Sequence, residues 1–529
     1  MGKRFLSLDF LRGISIFGMI FSAIVPYGVL PGWMYHVQNP PPNHGLDTSI
    51  SGIGWVDLVF PVFIFCMGAA IPLSGQKKLH RQRAAVVQRT VAEPRAAVEP
   101  GGAGKWAGTL EYLRGCFGRF IMLWLFSYLY VLTNFTTAAG VWPQVFTILG
   151  FGAIALLYMV VRRKAVDGGV SRASVLRSGS WRGVLWLRVL GVVLLAVVIA
   201  VGHFCFDEVI SVHRRGIIIF LLAFLYLFGS VLWYFTRNGI GLRWVIFGLL
   251  LVFTYVTKEL GWPATTYANP NIRWWFNMEY FYFLLILLPA TFVGEHLISV
   301  MSRQQPADDF ANAATAATAD SAATADSAAS VGRVLFVALP VFVAWQCYAL
   351  YMNLFALNLA VSVLFVLLAG FVVRRWFGQW CRIWRIAAAL HLSGLAFIFV
   401  EGAISKVPCT VSYCLVTFAI AVYLLMFSEF LCGQVTGEEK AQGAARKALG
   451  FGMFVVRVFS GAGQNPLMSY IAFDNLVVPL MKATGFISLY GAASMPEFPL
   501  TGVLRAAVAV FFTMWLVYLC GKKGFVWRA

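Results

Sequence analysis

A histidine and an aspartate lie on either side of the point where a long apolar segment begins. His44 follows a proline triplet and Asn43, and Asp57 precedes the run Leu-Val-Phe-Pro61. An imidazole that titrates near neutral pH can accept a proton from an amine or a hydroxyl group, which acyl transfer to such a group requires. Because carboxylates commonly orient imidazoles, we expect Asp57 to orient His44, with His36 as the local alternative.

Pro61 strengthens the interpretation of Asp57. It lacks the amide that would otherwise bond to the Asp57 carbonyl four residues earlier, so the helix is expected to be kinked there. Asp57 would then lie on a broken, polar first turn. Its alternative role is to cap or pack the start of that helix.

A second charged pair lies near the N-terminus. Asp9 and Arg12 are three residues apart at the start of the first apolar segment, a spacing at which helical side chains meet and neutralise each other. The functional alternative is that Arg12 offers a forked donor to a phosphate group that enters from the cytoplasm.

Other polar groups lie within or beside apolar segments. Asn465 precedes Pro466, where it could cap a helix or donate to a carbonyl oxygen during acyl transfer. His391 is expected to form an interhelical hydrogen bond. Glu279, Glu401 and Lys482 fall near predicted span ends, where they line the rim of a cavity at most.

The composition identifies the setting of these residues. The chain has 529 residues, of which 60% are hydrophobic and 12% are charged, and its mean hydropathy is +0.78. A water-soluble domain of this length does not sustain such a composition. The long continuous apolar runs predict helices rather than a membrane barrel. We therefore expect an all-α polytopic transmembrane bundle of about 12 to 14 spans.

The apolar runs define the expected organisation. The predicted spans are 10–31, 55–75, 115–137, 142–161, 185–204, 216–236, 243–262, 277–298, 334–355, 357–374, 385–405, 411–432, 464–482 and 501–520. The short connector between 334–355 and 357–374 leaves open a single broken segment there. Residues 1–529 form one integral membrane domain, with flexible cytoplasmic inserts expected at 76–114, 304–331 and 434–450 because their composition is polar or of low complexity.

The chain has a net charge of +19, and the distribution of its basic residues indicates the membrane topology. Lys and Arg collect on alternate loops, whereas 32–54, 138–141 and 483–500 contain none. The positive-inside rule therefore assigns both termini to the cytoplasm and the His44 loop to the outside. Nucleic acid is not an expected partner. The nine cysteines lack the paired spacing of a metal site, although Cys205 and Cys409 could pair on an oxidising outer face.

Several of these segments, read in order, resemble the family of heparan-alpha-glucosaminide N-acetyltransferase and its bacterial relatives. The matching pieces are Ser7-Leu-Asp9-Phe-Leu-Arg12-Gly13, the outer-loop His44, Trp55-Val-Asp57-Leu-Val-Phe-Pro61-Val-Phe-Ile-Phe with Met67-Gly68, and Asn465-Pro466-Leu-Met-Ser-Tyr470. They cover the first 75 residues and a late segment, while hydropathy alone matches the middle of the chain.

The resemblance implies a transmembrane acyltransferase. Such an enzyme takes an acetyl group from cytosolic acetyl-CoA and delivers it to an amino sugar, or here to an amino sugar or sugar hydroxyl, on the outer face. By resemblance His44 would be the catalytic histidine, acting as a base or as an acyl carrier. Asp57 would orient it, and Asn465 would face the developing oxyanion.

The donor side departs from the family pattern. Family members tend to carry Ile-Pro-Gly-Val-Leu-Gln-Arg where this chain has Trp142 to Ile148 without an arginine. We therefore assign the phosphate contacts of acetyl-CoA to Arg12, Arg114 and Arg119, with Asp9 as the partner of Arg12. No metal is expected.

Two other functions stay open at this stage. A transporter or flippase of a glycan or lipid intermediate would use the same polar groups without chemistry, although the chain shows no convincing internal repeat. A scaffold without activity is the third reading, because of the missing arginine. Membrane lipids, acyl-CoA and a glycan acceptor are the expected partners, the bacterial inner membrane is the expected location, and a homodimer is left open.

Overall fold

The structure is a computed structural model that describes residues 5–92, 102–161, 181–304, 319–437, 444–493 and 498–528. It confirms the all-α polytopic bundle. In these ranges, 13 helices are long and apolar enough to cross a membrane, and 14 if a pair bent by 103°, Pro466–Ala483 with Phe486–Ala492, forms one further span. The chain is an integral membrane protein.

The helices follow one another along the chain in this order. The first half contains α1 (Leu6–Ile24), α2 (Trp55–Ala92), α3 (Gly102–Leu132), α4 (Val141–Tyr158), α5 (Trp181–Cys205), α6 (Ile217–Thr236) and α7 (Ile240–Glu259). Three short helices, α8 (Trp262–Ala268), α9 (Pro270–Arg273) and α10 (Glu279–Tyr282), lead to α11 (Leu284–Gln304).

The second half is equally helical. It contains α12 (Ala319–Tyr351), α13 (Phe355–Trp376), α14 (Cys381–Glu401), α15 (Val411–Gly437) and α16 (Ala444–Gln464). The last broken span comprises α17 (Pro466–Ala472), a π-helical turn (Phe473–Val477) and α18 (Val478–Ala483), and it is followed by α19 (Phe486–Ala492) and α20 (Pro499–Lys522). The strands β1 (Met159–Val161) and β2 (Phe525–Trp527) and the 3₁₀ turns Gly32–Met34 and Gly378–Trp380 complete the described elements.

Three helices form the centre of the bundle. The apolar windows of α2, α11 and α15 are 78%, 72% and 72% buried, whereas those of α5 and α7 are only 22% buried and lie at the periphery. Glycines allow α2 and α11 to cross closely, since a Cβ atom on Gly294 would lie 2.2 Å from the Ala69 carbonyl oxygen. Such small residues let helix backbones approach within a membrane, where packing rather than the hydrophobic effect drives association.

Both ends of the chain lie on one face of the bundle. The guanidinium of Arg12, near the start of α1, donates to the carbonyl of Gly463, and the side chain of Asn465 bonds to β2. β2 in turn pairs antiparallel with β1. Following the charge distribution, we name this face the cytoplasmic face and the opposite one the outer face. Two chain ends on the same face require that the chain crosses the membrane an even number of times.

Helices extend into all three of the predicted inserts. α2 continues through residue 92, α3 begins at residue 102, α12 begins at residue 319 and α16 begins at residue 444, so the described parts of the inserts are helical. Ala, Gln, Lys and Arg have high helix propensity, which explains why these helices extend beyond their apolar windows. Residues 93–101, 305–318 and 438–443 of these inserts lie outside the described residues. The predicted spans 334–355 and 357–374, which have almost no connector, form two separate helices, α12 and α13.

Candidate functional site

Two outer loops are joined into one polar surface. The loop 25–54, between α1 and α2, contacts the loop 402–410, between α14 and α15. The Gln38 side chain donates to the carbonyl of Val407 at 2.5 Å and accepts from its amide at 2.9 Å. The amide of Gly52 donates to the carbonyl of Ile404 at 2.7 Å. These bonds bring Lys406 to the start of α2.

Asp57 is nearly enclosed, with 4% of its side chain exposed, and both of its carboxylate oxygens are used. Oδ2 accepts the amides of Gly54 at 3.1 Å and Val37 at 3.3 Å, and the bond to Gly54 caps the first turn of α2. Oδ1 lies 2.6 Å from Nδ1 of His36. The capping and the orienting roles foreseen for Asp57 therefore coexist, but the imidazole that it orients belongs to His36.

The carbonyl of Asp57 has a partner from a distant helix. Pro61 cannot supply the usual helical amide, and the hydroxyl of Tyr413 on α15 donates to this carbonyl at 2.7 Å. α15 therefore fixes the backbone of the residue that holds His36. Tyr413 is fully buried, so this hydrogen bond is shielded from water.

His36 is the accessible member of this cluster. Its side chain is 40% exposed, and its Nδ1 faces Asp57. Among the described residues, its Nε2 has no hydrogen-bond partner. Because Asp57 accepts the proton of Nδ1, Nε2 carries the free lone pair. This arrangement is the one in which an imidazole acts as a general base.

Lys406 completes the cluster. Its Nζ lies 3.4 Å from Nδ1 of His36 and 4.0 Å from Oδ1 of Asp57. Burial lowers the pKa of Lys406, while the negative charge of Asp57 acts in the opposite direction. We call His36, Asp57 and Lys406 the outer triad. Lys406 was not foreseen, because it lies 370 residues from His36 in the sequence.

His44 does not contact Asp57, which corrects the expected pairing. Its Nε2 accepts the amide of Gly28 and its Nδ1 donates to the carbonyl of Asn39, both at 3.1 Å. Its ring packs on Tyr27 and Tyr35, and only 8% of the residue is exposed. With both nitrogens bonded to the backbone, His44 holds its own loop together.

Arg12 is also committed to structural contacts. It lies 3.3 Å from Asp9 and donates to the carbonyls of Gly463 at 3.1 Å and Cys66 at 3.3 Å. It thereby joins α1 to α2 and α16, and its expected contact with a phosphate stays a prediction. Arg114 and Arg119 are exposed on α3, and the guanidinium of Arg119 lies 4.6 Å from the ring centre of Tyr226.

Asn465 holds the C-terminal strand. Its Oδ1 accepts the amide of Trp527 at 2.9 Å, and its Nδ2 lies 3.3 Å from the carbonyl of Phe525. Its side chain makes no capping bond to α17. The expected oxyanion donor therefore lies on the cytoplasmic face, away from the outer triad, and its amide group is bonded to β2.

The remaining polar groups have structural partners. His391 bonds to Tyr423 and Gln346, which confirms its expected interhelical hydrogen bond. Glu401 caps α15 through the amides of Val411 and Ser412, while Glu279 accepts the amide of Cys409. Lys482 donates to the carbonyl of Thr136.

Two further findings concern the cysteines and metal binding. Cys409 lies 3.4 Å from the sulfur of Cys414, not beside the exposed Cys205 with which a pairing was considered. Within the described ranges, no group of three or more His, Cys, Asp or Glu side chains is arranged to hold a metal ion.

Comparison with known proteins yields one family. The model of a family described as Domain of unknown function (DUF5009) matches residues 4–93 and 117–297, just over half of the chain. The match includes His36, His44 and Asp57 but not Lys406. No curated protein and no solved structure matches the chain.

Proposed function

The chain belongs to the family described as Domain of unknown function (DUF5009), and from this premise and the geometry of its outer face we propose that it is a transmembrane acyltransferase. It would take an acetyl or other acyl group from cytosolic acyl-CoA and deliver it to an amino sugar or a sugar hydroxyl outside. The observation that carries the proposal is the pairing of Asp57 with Nδ1 of His36, which leaves Nε2 free on an exposed imidazole.

The outer triad suits proton removal from an acceptor. As the acceptor nitrogen or oxygen bonds to the acyl carbon, Nε2 of His36 takes its proton, and the carbon–sulfur bond breaks with its electrons left on the thiolate of CoA. Asp57 stabilises the imidazolium that forms, because its carboxylate already holds Nδ1. In the alternative route, Nε2 first accepts the acyl group from the thioester and then passes it to the sugar.

The donor would bind at the cytoplasmic face. Arg114 and Arg119 are exposed on the cytoplasmic half of α3, and exposed guanidinium groups suit the phosphates of CoA. Lys78 lies beside the same part of α3, with its ammonium 3.2 Å from the carbonyl of Tyr112. Asp9 and Arg12 support the helices around this surface, and their expected contact with the donor stays a prediction. A location in the bacterial inner membrane would place acyl-CoA and glycan on opposite sides.

The test compares the two histidines of the outer loop. Purified protein in detergent receives acetyl-CoA labelled in the acetyl group and glucosamine or another simple sugar acceptor. We expect His36→Ala to reduce label transfer by about a thousandfold, the usual contribution of a general base, without loss of folding.

His44→Ala is the matched control. It removes an imidazole from the same loop, and we expect it to lower the melting temperature while folded protein keeps acetyl transfer. Equal activity of wild type and His36→Ala would refute the role of His36. Absence of transfer by wild type to amine and hydroxyl sugars alike would favour the transporter reading. Label that stays on the protein when acceptor is omitted would identify the acyl-carrier route.

A further inference from the structure

The last broken span contains a carboxylate inside the apolar part of the bundle. Asp474 lies on the π-helical turn Phe473–Val477, within the span that runs from Pro466 to Ala483. Its neighbours Phe473 and Asn475 are buried, whereas Asp474 is exposed. π-Helical turns are rare and occur frequently at functional sites. Asp474 takes no part in the outer triad.

The other faces of this span are occupied by neighbouring helices. Phe473 and Val477 pack in one cluster with Ile16 and Ile20 of α1. On another side, the amide of Asn475 donates to the carbonyl of Tyr130 on α3 at 2.8 Å. Contacts to α20 cover a third side.

A cavity lies on that third side. Its volume is about 250 Å³, and Met468, Ala472 and Leu476 line it together with α20. These three residues are four positions apart, so they lie on one face of the helix, and Asp474 is not on that face. The carboxylate therefore points away from α20.

Tyr470 fixes the direction in which Asp474 points. It lies four residues earlier, so the two side chains share a face. The ring of Tyr470 makes an edge contact with Tyr130 at 6.0 Å, and Asp474 interacts electrostatically with both tyrosines. This face lies between α1 and α3. α1 packs on α2, α2 on α6 and α6 on α3, so the exposed surface of Asp474 opens into the space that these helices surround and not toward the lipid.

The carboxylate lacks a counter-charge in the described part of the chain. No hydrogen bond or ion pair involves Asp474 there, whereas the buried Asp57 has both. An ionised carboxylate in a membrane interior is costly, and such groups are found beside cations or on ion and substrate pathways. Two tyrosine rings beside it favour a positive group further, because aromatic faces attract cations.

We propose that Asp474, with Tyr130 and Tyr470, forms a binding site inside the bundle for a small monovalent cation. The carboxylate supplies the charge, and the tyrosines supply ring faces and hydroxyl oxygens. The cation is either a primary ammonium group or an alkali metal ion. Only its identification with the amine of a sugar acceptor rests on the proposed acyltransferase function.

The test uses dicyclohexylcarbodiimide, an apolar reagent that adds to a protonated carboxyl group and leaves an N-acylurea on it. The full-length protein in detergent is labelled, and the modified residue is located by mass spectrometry of the peptide that contains Asp474. A bound cation displaces the proton and blocks the reaction. At saturation by glucosamine or by sodium chloride, labelling of Asp474 is expected to fall about tenfold by mass action.

Matched additions separate the two sources of cation. N-acetylglucosamine has the sugar ring without the positive charge, and sucrose controls for osmolality. Protection by glucosamine alone identifies an ammonium site, and protection by sodium chloride identifies an alkali cation site. Labelling that no cation reduces, or no labelling at Asp474, overturns the proposal. Because the readout needs no acetyl transfer, His36→Ala should keep the protection even if the acyltransferase proposal fails.

Variants connect the protection to the three side chains. Asp474→Asn should abolish labelling of this peptide, with the melting temperature as a check of folding. Tyr470→Leu should weaken protection because the ring is lost, and Tyr470→Phe should keep most of it. If Tyr470→Leu binds the cation as tightly as wild type, the assigned role of the rings is wrong.

Discussion

Two histidine side chains in this protein differ in their hydrogen bonding. In the outer triad, His36 has one nitrogen bound to Asp57 and the other free on an exposed edge. In the second half of the bundle, His391 is fully buried and bonds through Nδ1 to Tyr423 at 3.1 Å and through Nε2 to Gln346 at 3.2 Å. One imidazole keeps a site for a reacting group, whereas the other has none.

His391, with both ring nitrogens hydrogen-bonded, links neighbouring helices. Gln346 also bonds reciprocally with Asn358 at 2.9 Å and donates to Ser362 at 2.9 Å, so four helices, α12 to α15, share one closed set of hydrogen bonds. Such bonds fix the register of helices within a membrane. The difference teaches that a histidine is suited to act as a base only where one ring nitrogen has no hydrogen-bond partner. His44, with both nitrogens filled, follows the pattern of His391.

The largest effect is expected at the carboxylate of the outer triad. Asp57→Asn can keep the cap of α2 through its oxygen, but its amide then faces Nδ1 of His36 and moves the proton to Nε2. We expect acetyl transfer to fall about a thousandfold, as for His36→Ala, because the imidazole in the wrong tautomer cannot act as the general base. Initial rates with labelled acetyl-CoA measure this change. Asp47→Asn, in the same loop, is the control, and an equal loss there would contradict the assignment.

The next effect concerns stability in the other region. Gln346→Leu leaves Asn358 and His391 without their shared partner, so we expect unfolding to become easier by about 2 kcal/mol with little change in specific activity. Thermal denaturation in detergent measures the shift. Gln144→Leu is the matched control, because Gln144 is buried but makes a single hydrogen bond, to the carbonyl of Ala138. Equal shifts for both variants would show that the network stabilises the protein no more than a single buried hydrogen bond does.

A smaller effect is expected where α15 holds the outer triad. Tyr413→Phe removes the hydroxyl that bonds to the Asp57 carbonyl, a loss of about 1 kcal/mol for one buried hydrogen bond. The melting temperature should fall, and the transfer rate should fall modestly because Asp57 is less firmly held. Tyr255→Phe serves for comparison, since no hydrogen bond of its hydroxyl is found in the described residues. An unchanged melting temperature for Tyr413→Phe would argue against this contact.

The smallest effect is expected at Lys406. Its ammonium lies 3.4 Å from Nδ1 of His36 and 4.0 Å from Oδ1 of Asp57. Lys406→Met removes this positive charge, and we expect the rate of acetyl transfer at neutral pH to change only about threefold, because Asp57 still holds Nδ1 of His36. Lys406→Arg keeps the charge and is the control. A loss as large as that of Asp57→Asn would mean that Lys406 takes a direct part in transfer.

Much of the architecture followed from composition. Apolar runs of spanning length predicted the number of crossings, because a helix must satisfy its own backbone in lipid. The role of Asp57 was also predictable in kind, since Pro61 and the helix start mark a polar turn. Choosing His36 over His44 was not predictable, because both flank the same prolines and only the loop conformation decides which ring meets the carboxylate.

The sequence by itself determined that this protein is a helical membrane bundle, and it predicted a polar turn at the start of α2, around Asp57. Only the tertiary structure decided which groups meet. Lys406 and Tyr413 reach Asp57 from positions 349 and 356 residues further along the chain. Arg12 bonds to Gly463, and Asn465 bonds to β2. The physical reason is that hydropathy is a local property of a segment, whereas the hydrogen-bond partners of a buried polar group depend on which helices pack together.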